Sequence, residues 1–282
     1  MALRLVVPKG RIYDKVAELL AECGVKLTGA ERSYRPSVSV AGIEVKLLKS
    51  QNIPPLLALN QHDIGFAGYD WVLEQGAEVT ELLDLGFDPV KIVAAVPETT
   101  DVDALKTRRI IAVSEYERLT RNFLNSQGFD YTFVRSYGAT EVFPPEDADL
   151  IVDNSATGST LIANRLKVIG TVLESSTRFL ANPRALDDVA KRQQIENLLL
   201  LMKGVINGRG RVLLEMNVPA DRLETIVKLL PAMRSPTVAQ LYNESGFSVK
   251  AAIPTGQVAK LVPELIAAGA SDILEMPIRK VV

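Results

Sequence analysis

Short, mainly apolar runs of strand length recur along this chain, and several of them end abruptly at a glycine or a small polar residue. Residues 90–96, for example, are apolar at every position except Lys91. Such runs are typical of strands that are covered on both faces of a sheet. Stretches with helical spacing of apolar residues, such as residues 13–22, separate them. The chain is therefore predicted to have an α/β fold, with a second α/β lobe beginning near Arg109.

A different order of elements is predicted for the last third of the chain, after Gly208 and Gly210. The pattern gives strands at 212–218, 237–242, 248–253 and 271–277, with helices at 221–230 and 257–268. This β-α-β-β-α-β order predicts a ferredoxin-like module. No group of catalytic residue types is visible in it, so regulation or assembly is its expected role.

Composition excludes several classes of site. The chain has 282 residues, 47% of them hydrophobic, which suffices for two or three domains with their own cores. A net charge of -2 without a dense basic block gives no reason to expect nucleic acid. The single cysteine, Cys23, excludes disulfides within one chain, and the single histidine, His62, removes most histidine-based catalytic and metal sites.

Location and chemistry follow from the same composition. No segment has the length and hydrophobicity of a signal peptide or of a membrane-spanning helix, so we expect a cytoplasmic protein without a membrane partner. If the chain is an enzyme, it works with carboxylates, cations, backbone donors and Mg²⁺ held by oxygen ligands.

The stretch with the strongest functional signal runs from Asp149 to Asn164. The apolar residues 150–152 predict a strand that stops at Asp153, and small polar residues follow. Residues 161–163 and Leu166 then have helical spacing. A small polar loop between a strand and a helix N-terminus offers free N–H groups to an anion, so a phosphate fits there.

The composition of this loop supports the phosphate interpretation, although a common N-cap turn formed by Thr157 or Ser155 explains it equally well. Gly158 allows close approach of a ligand, and Thr157, Ser159 and Thr160 add hydroxyl groups. The loop is neither a P-loop nor a dinucleotide fingerprint. Asp153 can accept hydrogen bonds from sugar hydroxyls or help to hold a metal.

Two further strand-to-helix junctions contain glycine and charged residues. Lys9 and Arg11 flank Gly10 after the first strand, where they either converge on a phosphate or form a solvated turn. Gly68 and Asp70 follow the strand at 63–67, and Asp70 is either a ligand acceptor or, as the sequence favours, the N-cap of the next helix. In open α/β sheets this edge is where ligands bind.

Several ordered motifs together resemble the ATP phosphoribosyltransferase family in its long form. They are residues 6–11 (VVPKGR), 51–54 (QNIP), 63–70 (DIGFAGYD), 138–141 (GATE), 148–153 (ADLIVD), 156–161 (ATGSTL), 216–219 (MNVP) and 234–238 (RSPTV). The resemblance covers essentially the whole chain. It implies a two-lobed catalytic core of the type II periplasmic-binding-protein kind, followed by an ACT-like, ferredoxin-like domain.

The resemblance also implies domain limits, a reaction and partners. Lobe I is expected at 1–96 with 178–207, lobe II at 97–177, and a regulatory domain at 208–282. The implied reaction transfers the phosphoribosyl group of phosphoribosyl pyrophosphate (PRPP) to N1 of the adenine of ATP, with Mg²⁺ as cofactor and without a covalent enzyme intermediate. L-Histidine is the implied feedback inhibitor, and dimers that assemble into hexamers are the implied oligomers.

Site residues follow from the matching motifs. The expected PRPP-binding residues are Asp153, Ala156, Thr157, Gly158, Ser159 and Thr160. The expected ATP- or pyrophosphate-binding residues are Lys9, Gly10, Arg11, Lys49, Gly68 and Asp70. The expected catalytic residues are Asp153, Asp70 and Glu141, and the resemblance leaves the metal ligands open. Positioning and electrostatic stabilisation suffice for such a ribosyl transfer.

Three positions depart from the family pattern and reduce the cationic character of the site. Lys49 replaces a frequent Arg, Glu115 a common Lys, and Ser159 a frequent Arg. Either Arg32 and Arg35 compensate, or substrate binding is weaker. The alternative function is that of a catalytically impaired paralogue acting as a two-lobed ligand-binding or sensor protein.

Overall fold

The computed structural model describes residues 2–31, 33–231, 233, 235–242 and 246–282. The chain divides into a compact unit that ends at Ile195 and a second that begins at Glu196. Across these described ranges, no helix is long and apolar enough to cross a membrane.

The first unit contains two five-stranded sheets and a short two-stranded ribbon. Its strands are β1 (Leu3–Pro8), β2 (Leu27–Thr28), β3 (Ser37–Val38), β4 (Ile43–Leu48), β5 (Ile64–Gly68), β6 (Thr80–Asp84), β7 (Val90–Pro97), β8 (Arg109–Ser114), β9 (Asp130–Arg135), β10 (Leu150–Ser155), β11 (Leu166–Ser175) and β12 (Thr177–Ala181). Its helices are α1 (Tyr13–Glu22), α2 (Ile53–Ala58), α3 (Tyr69–Gln75), α4 (Val102–Leu105), α5 (Glu117–Ser126), α6 (Ser159–Ala163) and α7 (Pro183–Asp187), with 3-10 turns at Ser50–Asn52 and Thr140–Val142.

The first sheet has the strand order β4-β1-β5-β12-β6. β1 runs parallel to β4 and β5, whereas β12 runs antiparallel to β5 and β6. Helix α2 packs on this sheet through a buried cluster of Val6, Ile53, Leu57, Ala67 and Leu180. Because β1, β4 and β5 are parallel, the loops that follow them emerge at one edge.

The second sheet has the order β11-β7-β10-β8-β9. β8 runs parallel to β9 and β10, and β7 runs antiparallel to β10 and β11. Alternate residues of β7 enter different buried clusters, with Ile92 and Ala94 in one and Val93 and Ala95 in another. Both faces of this strand are therefore covered, as its nearly continuous apolar run predicts.

The second unit confirms the predicted ferredoxin-like module. It contains the end of α8 (Val189–Arg209), then β13 (Arg211–Pro219), α9 (Leu223–Leu229), β14 (Thr237–Gln240), β15 (Gly246–Pro254), α10 (Thr255–Ala267) and β16 (Ser271–Pro277). The strand order is β14-β15-β13-β16, and all neighbours are antiparallel. Apolar residues of one face of β13, such as Leu214 and Met216, pack with Ile226 of α9 and Leu265 of α10.

Two strands of the first sheet, β6 and β12, were not predicted from the sequence. β6 has polar residues at both ends and is an edge strand, so it lacks a strong strand signal. β12 follows β11 after a single residue, and the sequence gives no break between them. β7 also departs from the predicted lobe limits. It was assigned to lobe I, but it belongs to the second sheet.

Three predicted elements have different limits. The helix predicted at 186–202 is interrupted at Asp188, whose carboxylate accepts hydrogen bonds from the N–H groups of Ala190 and Lys191 and so begins a new helix. The strand predicted to stop at Asp153 continues to Ser155, because β10 pairs with β7 as far as Lys91. Leu166 begins β11 and does not belong to the helix that was predicted for it.

Candidate active site

The carboxyl ends of the parallel strands carry residues that the sequence singled out. In the first sheet, β1 leads to Lys9 and Arg11, and β4 leads to Lys49. Pro8 pairs with Leu48, and the Lys9 N–H donates to the Leu48 carbonyl oxygen at 2.7 Å. The backbones of Lys9 and Lys49 are therefore neighbours at one edge of this sheet.

A pocket of about 330 Å³ lies at the carboxyl end of β10 in the second sheet. The predicted site residues that line it are Arg11, Glu141, Asp153, Ala156, Thr157, Gly158, Ser159 and Thr160. Glu115 and Asn154 line it as well. The structure thus brings the small polar loop together with two carboxylates and one cation that are distant in the sequence.

The loop itself presents hydroxyl and N–H groups to this pocket. Gly158 begins α6 with a φ of 79°, which favours glycine at this position. The hydroxyls of Thr157 and Ser159 are 2.9 Å apart, and the side chains of both residues and of Thr160 are exposed. Because α6 is only five residues long, donors in the loop contribute more than a helix dipole.

The prediction that Thr157 or Ser155 is the N-cap of this helix is wrong. Gly158 occupies the N-cap position of α6, and no side chain forms the capping hydrogen bond. The Thr157 hydroxyl accepts only a long hydrogen bond, 3.4 Å, from the Ser159 N–H. Capping therefore does not account for the serine and threonine content of the loop.

Asp153 is the carboxylate with the most perturbed environment in this pocket. Burial, together with the negative charges of Glu141 and Glu115, raises the pKa of Asp153 from 3.8 to about 6, although a hydrogen bond from the Asn154 N–H opposes the change. That N–H lies 2.7 Å from Oδ1 of Asp153. A ligand that brings hydroxyl donors or a cation would stabilise the ionised form.

A second pocket of about 130 Å³ adjoins the first and has Arg11 and Asn154 in common with it. Gly68 and Asp70 line it from the first sheet, and Tyr116 lines it from the second. The two pockets therefore adjoin at the carboxyl ends of both sheets, which is the usual place for ligands in open α/β sheets, and together they are called the cleft below.

Asp70 is not the N-cap of its helix, so the reading that the sequence favoured is wrong. Gly68 is the N-cap of α3, and Asp70 lies inside the first turn, 5% exposed. Its carboxylate accepts hydrogen bonds from the Tyr116 hydroxyl at 2.9 Å and from the Ser175 hydroxyl at 2.7 Å. Burial beside this carboxylate raises the pKa of Tyr116 far above its usual range, so the phenol remains a donor.

Arg11 is the cation common to both pockets. Its Nε donates to Oδ2 of Asp88 at 2.6 Å, and Lys15 lies 3.7 Å from the other oxygen of the same carboxylate. The side chain of Arg11 is 60% exposed. Asp88 therefore orients the guanidinium while leaving other N–H donors for an anion in the cleft.

Comparison with known proteins identifies the family. Residues 49–204 match the family HisG, ATP phosphoribosyltransferase, and residues 208–280 match the HisG C-terminal domain. The ATP phosphoribosyltransferase of Pelotomaculum thermopropionicum is 41% identical over 290 aligned residues that cover 100% of both chains. That of Chlorobium phaeovibrioides is 38% identical, covering 99% of this chain and 97% of the relative. The chain belongs to the ATP phosphoribosyltransferase family.

Family membership confirms the predicted enzyme class, a transferase of the first step of histidine biosynthesis. A solved chain of the ATP phosphoribosyl transferase (HisG:HisZ) complex from Thermotoga maritima aligns with a TM-score of 0.64 and 24% identity, covering 71% of this chain and 98% of that chain. This likeness, with the two matched family regions, confirms the predicted fold class of a two-lobed α/β core and a C-terminal domain.

Not all residues expected from the ATP phosphoribosyltransferase motifs line the cleft. Lys9, Gly10 and Lys49 are exposed and line neither pocket, and the Lys9 ammonium lies 3.7 Å from the centre of the Tyr34 ring. Arg35 lines a different pocket. Arg32, named with it as a compensating cation, lies outside the described residues, as does Arg234 of the last motif.

Sequence reasoning missed several residues of the transferase cleft. Tyr116 and Ser175 donate hydrogen bonds to Asp70. Asp88 accepts a hydrogen bond from Arg11, and Asn154 lines both pockets. None of these stands in a motif of its own. Ser175 is 105 positions from Asp70 in the chain, so only the folded structure brings the two together.

Proposed function

We propose that this chain transfers the phosphoribosyl group of PRPP to N1 of the adenine of ATP, with both substrates in the cleft at the carboxyl ends of the two sheets. The observation that carries the proposal is the pair of adjoining pockets with Arg11 and Asn154 in common. One pocket contains the hydroxyl-rich loop and Asp153, and the other contains Gly68 and Asp70. Family membership supports the reaction, and the residues that line the cleft support the proposed position of each substrate part.

The 5′-phosphate of PRPP is proposed to bind the loop at residues 156–160. The exposed hydroxyls of Thr157, Ser159 and Thr160 can donate to its oxygens. The N–H groups at the start of α6 have no carbonyl partner inside the helix and can donate as well. Ser159 supplies a neutral donor where an Arg is frequent in the family. Backbone N–H and hydroxyl groups are therefore proposed to contribute more to phosphate binding here than they would beside an arginine.

The ribose is proposed to lie against Asp153. An ionised carboxylate accepts hydrogen bonds from two sugar hydroxyls, and these bonds favour the charged form. Burial and two neighbouring carboxylates disfavour that form in the ligand-free protein. Substrate binding therefore relieves an unfavourable charge, and Asp153 also stabilises positive charge that develops on the ribose ring in the transition state.

The pyrophosphate is proposed to lie near Arg11, with Lys9 and Lys49 at the adjoining sheet edge. Within the described residues, no three side chains of His, Cys, Asp or Glu are grouped so as to hold a metal ion by themselves. Mg²⁺ is commonly held by one or two carboxylates together with substrate phosphates. Glu141 and Asp153 fit that pattern, and bound Mg²⁺ would neutralise charge on the leaving pyrophosphate.

The reaction needs alignment rather than an enzyme nucleophile. The bond between C1 of the ribose and the pyrophosphate oxygen breaks, and the oxygen leaves with the bonding electrons. The lone pair of the adenine N1 forms the new bond to C1. Gly68 and Asp70 are proposed to form the wall against which ATP is held, since each oxygen of Asp70 retains a lone pair beyond the bonds from Tyr116 and Ser175.

A two-substrate assay with a matched pair of variants tests this function. We expect pyrophosphate release only when ATP and PRPP are both present. Thr157→Ala removes a proposed phosphate contact and should lower kcat/KM for PRPP by about tenfold or more. Thr99→Ala removes an exposed threonine elsewhere in the first unit and should leave it unchanged. Equal turnover by the two variants would contradict the proposed phosphate-binding role of the loop. Binding of both substrates without product formation would favour the sensor function.

Histidine inhibition and the oligomeric state are proposed from the family alone. The C-terminal unit is a separate compact module, as a regulatory domain requires. L-Histidine is expected to lower turnover by binding there, and dimers are expected to assemble into hexamers. Turnover that L-histidine leaves unchanged would refute the first of these, and a monomeric mass in light scattering would refute the second.

A further inference from the structure

A third pocket, about 340 Å³ in volume, lies at the opposite end of the first sheet from the candidate active site. It is lined by the amino-terminal halves of β1 and β4, by Leu56 of α2 and by Gln61 and His62, which precede β5. His62 and Gly68 are separated by the length of β5, which places the pocket about 20 Å from the cleft at ~3.3 Å per residue. The pocket therefore plays no part in the proposed ribosyl transfer.

His62, the one histidine of the chain, lines this pocket, and its Nδ1 has no hydrogen-bond partner among the described residues. The residue is 9% exposed, and its Nδ1 is buried. Buried polar side-chain atoms are usually hydrogen-bonded, because an unpaired one costs about 1–3 kcal/mol. Nδ1 is itself inaccessible, so a ligand in the pocket would contact the remaining exposed part of the imidazole ring, which lines the pocket.

The charges around the pocket are mostly positive, although the whole chain has a net charge of -2. The charged groups are Arg4, Arg35, Lys46 and Lys191 against Glu44 and Asp63. Asp63 is fully buried and ion-paired to both Arg4 and Lys191, at 2.8 Å each. The four cations and two carboxylates leave two positive charges uncompensated.

The two cations that are free to meet a ligand are Lys46 and Arg35. Neither forms an ion pair with any residue in the described part of the chain, and Arg35 is exposed. Burial and then the positive charges of Lys46, Arg4 and Arg35 lower the pKa of His62, whereas Asp63 opposes them. The imidazole is therefore neutral at pH 7 and retains one N–H donor.

A phosphate group matches these features. At neutral pH a phosphate monoester carries between about -1.5 and -2 charges, which two uncompensated cations balance. Its oxygens accept from a guanidinium, an ammonium and an imidazole N–H at once. The partly exposed side chain of Leu56 forms an apolar wall beside these donors, as in sites that bind small organic molecules.

We propose that the pocket around His62 binds the phosphate group of a small organic phosphate monoester, at a site separate from the transferase cleft. The neutral imidazole and the cations Lys46 and Arg35 hold the phosphate, and the apolar wall holds the organic part. Arg4 serves as a support, because its guanidinium already donates to Asp63 at 2.8 Å and to the Asn60 carbonyl oxygen at 3.0 Å. Nothing in this assignment depends on the reaction proposed for the cleft.

The single histidine makes the test direct, because selectively labelled, tag-free protein gives one imidazole ring signal in an NMR spectrum. Inorganic phosphate and phenyl phosphate are titrated separately at constant ionic strength, with chloride as the reference anion. Both should shift the His62 signal saturably and raise its pKa, because an anion offsets the cations that lower it. Phenyl phosphate should bind more tightly, since its ring can lie on the apolar wall.

Variants separate a built site from general electrostatics. Lys46→Gln should raise the pKa of His62 in the ligand-free protein and weaken phosphate binding about tenfold, the effect of losing one charge-assisted contact. Arg35→Gln is a second variant with the same expected loss of affinity. Lys106→Gln removes an equal charge from the second lobe and should change neither quantity.

The outcomes are distinct from those of the transferase assay. The shift should persist in Thr157→Ala protein, which excludes phosphate bound in the cleft as its cause. A His62 signal that responds equally to chloride, or equally in the Lys46→Gln, Arg35→Gln and wild-type proteins, would overturn the proposal. Equal affinity for both phosphates would overturn the organic part of it and leave inorganic phosphate as the ligand.

Discussion

At the scale of single residues, Asp153 combines a proposed substrate contact with an environment that disfavours its charged form. Its carboxylate lies in the same pocket as Glu115 and Glu141, and Arg11 is the one cation among the described residues that line this pocket. The raised pKa is a direct consequence of burial and these like charges. The fold holds this carboxylate in an environment that disfavours its charge, and a bound ligand would stabilise the charged form. Removal of the charge should therefore raise stability and lower activity.

Activity should fall in mild acid. The pKa of Asp153 in the ligand-free protein is about 6, so the carboxylate is ionised above pH 6 and protonated below it. If the ionised form accepts the ribose hydroxyls, kcat/KM for PRPP should fall about tenfold for each pH unit below 6, since this parameter reports the free enzyme. A profile measured from pH 5 to 8 checks this. A flat profile across pH 6 would contradict the assigned role.

The variant Asp153→Asn should lose activity and gain stability. A carboxyl whose pKa is raised by folding destabilises the folded state at any pH above that value, and the cost disappears as the pH falls toward its usual 3.8. Asn removes the charge, so we expect an increase of about 1–2 kcal/mol in the free energy of unfolding at pH 7, reduced for partial exposure. Turnover should fall tenfold or more.

Denaturant unfolding at pH 7 and pH 4 measures the stability change, which should be smaller at pH 4. Asp147→Asn, at an exposed position of the same lobe, is the control and should change neither stability nor turnover. An Asp153→Asn protein that is less stable than the wild type at pH 7 would show that the carboxylate has a structural partner.

At the scale of elements, the contact between α3 and α5 connects the two sheets of the first unit. Glu74 of α3 is 8% exposed and accepts hydrogen bonds from the N–H groups of Arg118 and Leu119, at 3.1 Å and 3.0 Å. Glu74 therefore provides acceptors for N–H groups in the first turn of α5, which have no carbonyl partner within their own helix. The rings of Trp71 and Tyr116 stack nearby at 4.6 Å. This contact fixes the separation of Asp70 and the Asp153 pocket.

Glu74→Ala should therefore affect both stability and substrate use. It leaves two N–H groups of α5 without their acceptor, so the free energy of unfolding should fall by about 1–3 kcal/mol. A looser α3–α5 contact should also raise KM for both substrates, because they bind on opposite sides of it. Glu78→Ala, at an exposed position just beyond the same helix, should have little effect on either measurement. Equal behaviour of the two variants would mean that the contact is dispensable.

The elements also show what the sequence can and cannot predict. Local patterns located most helices and strands, including Ser271–Pro277 and Tyr13–Glu22, because apolar spacing is a property of neighbouring residues. The loop at 156–160 was predicted from its position after a strand. The hydrogen-bond partners of Asp70 were not, because Tyr116 and Ser175 lie far from it in the chain, and no local pattern encodes that contact.

At the scale of the whole molecule, function depends on two sheets whose parallel strands end in a common cleft. Arg11 follows β1 of the first sheet, the loop at 156–160 follows β10 of the second, and both line one pocket. The compact C-terminal unit has a ferredoxin-like topology. The proposed reaction centre and the proposed site of histidine control therefore lie in different compact units.

The most direct test is a crystal structure of the protein with PRPP bound. The account predicts the 5′-phosphate within hydrogen-bond distance of the Thr157 and Thr160 hydroxyls and of the N–H groups at the start of α6. It also predicts the ribose hydroxyls on Asp153. A structure in which the 5′-phosphate lies beside Lys9 and Lys49, with the loop at 156–160 empty, would contradict it.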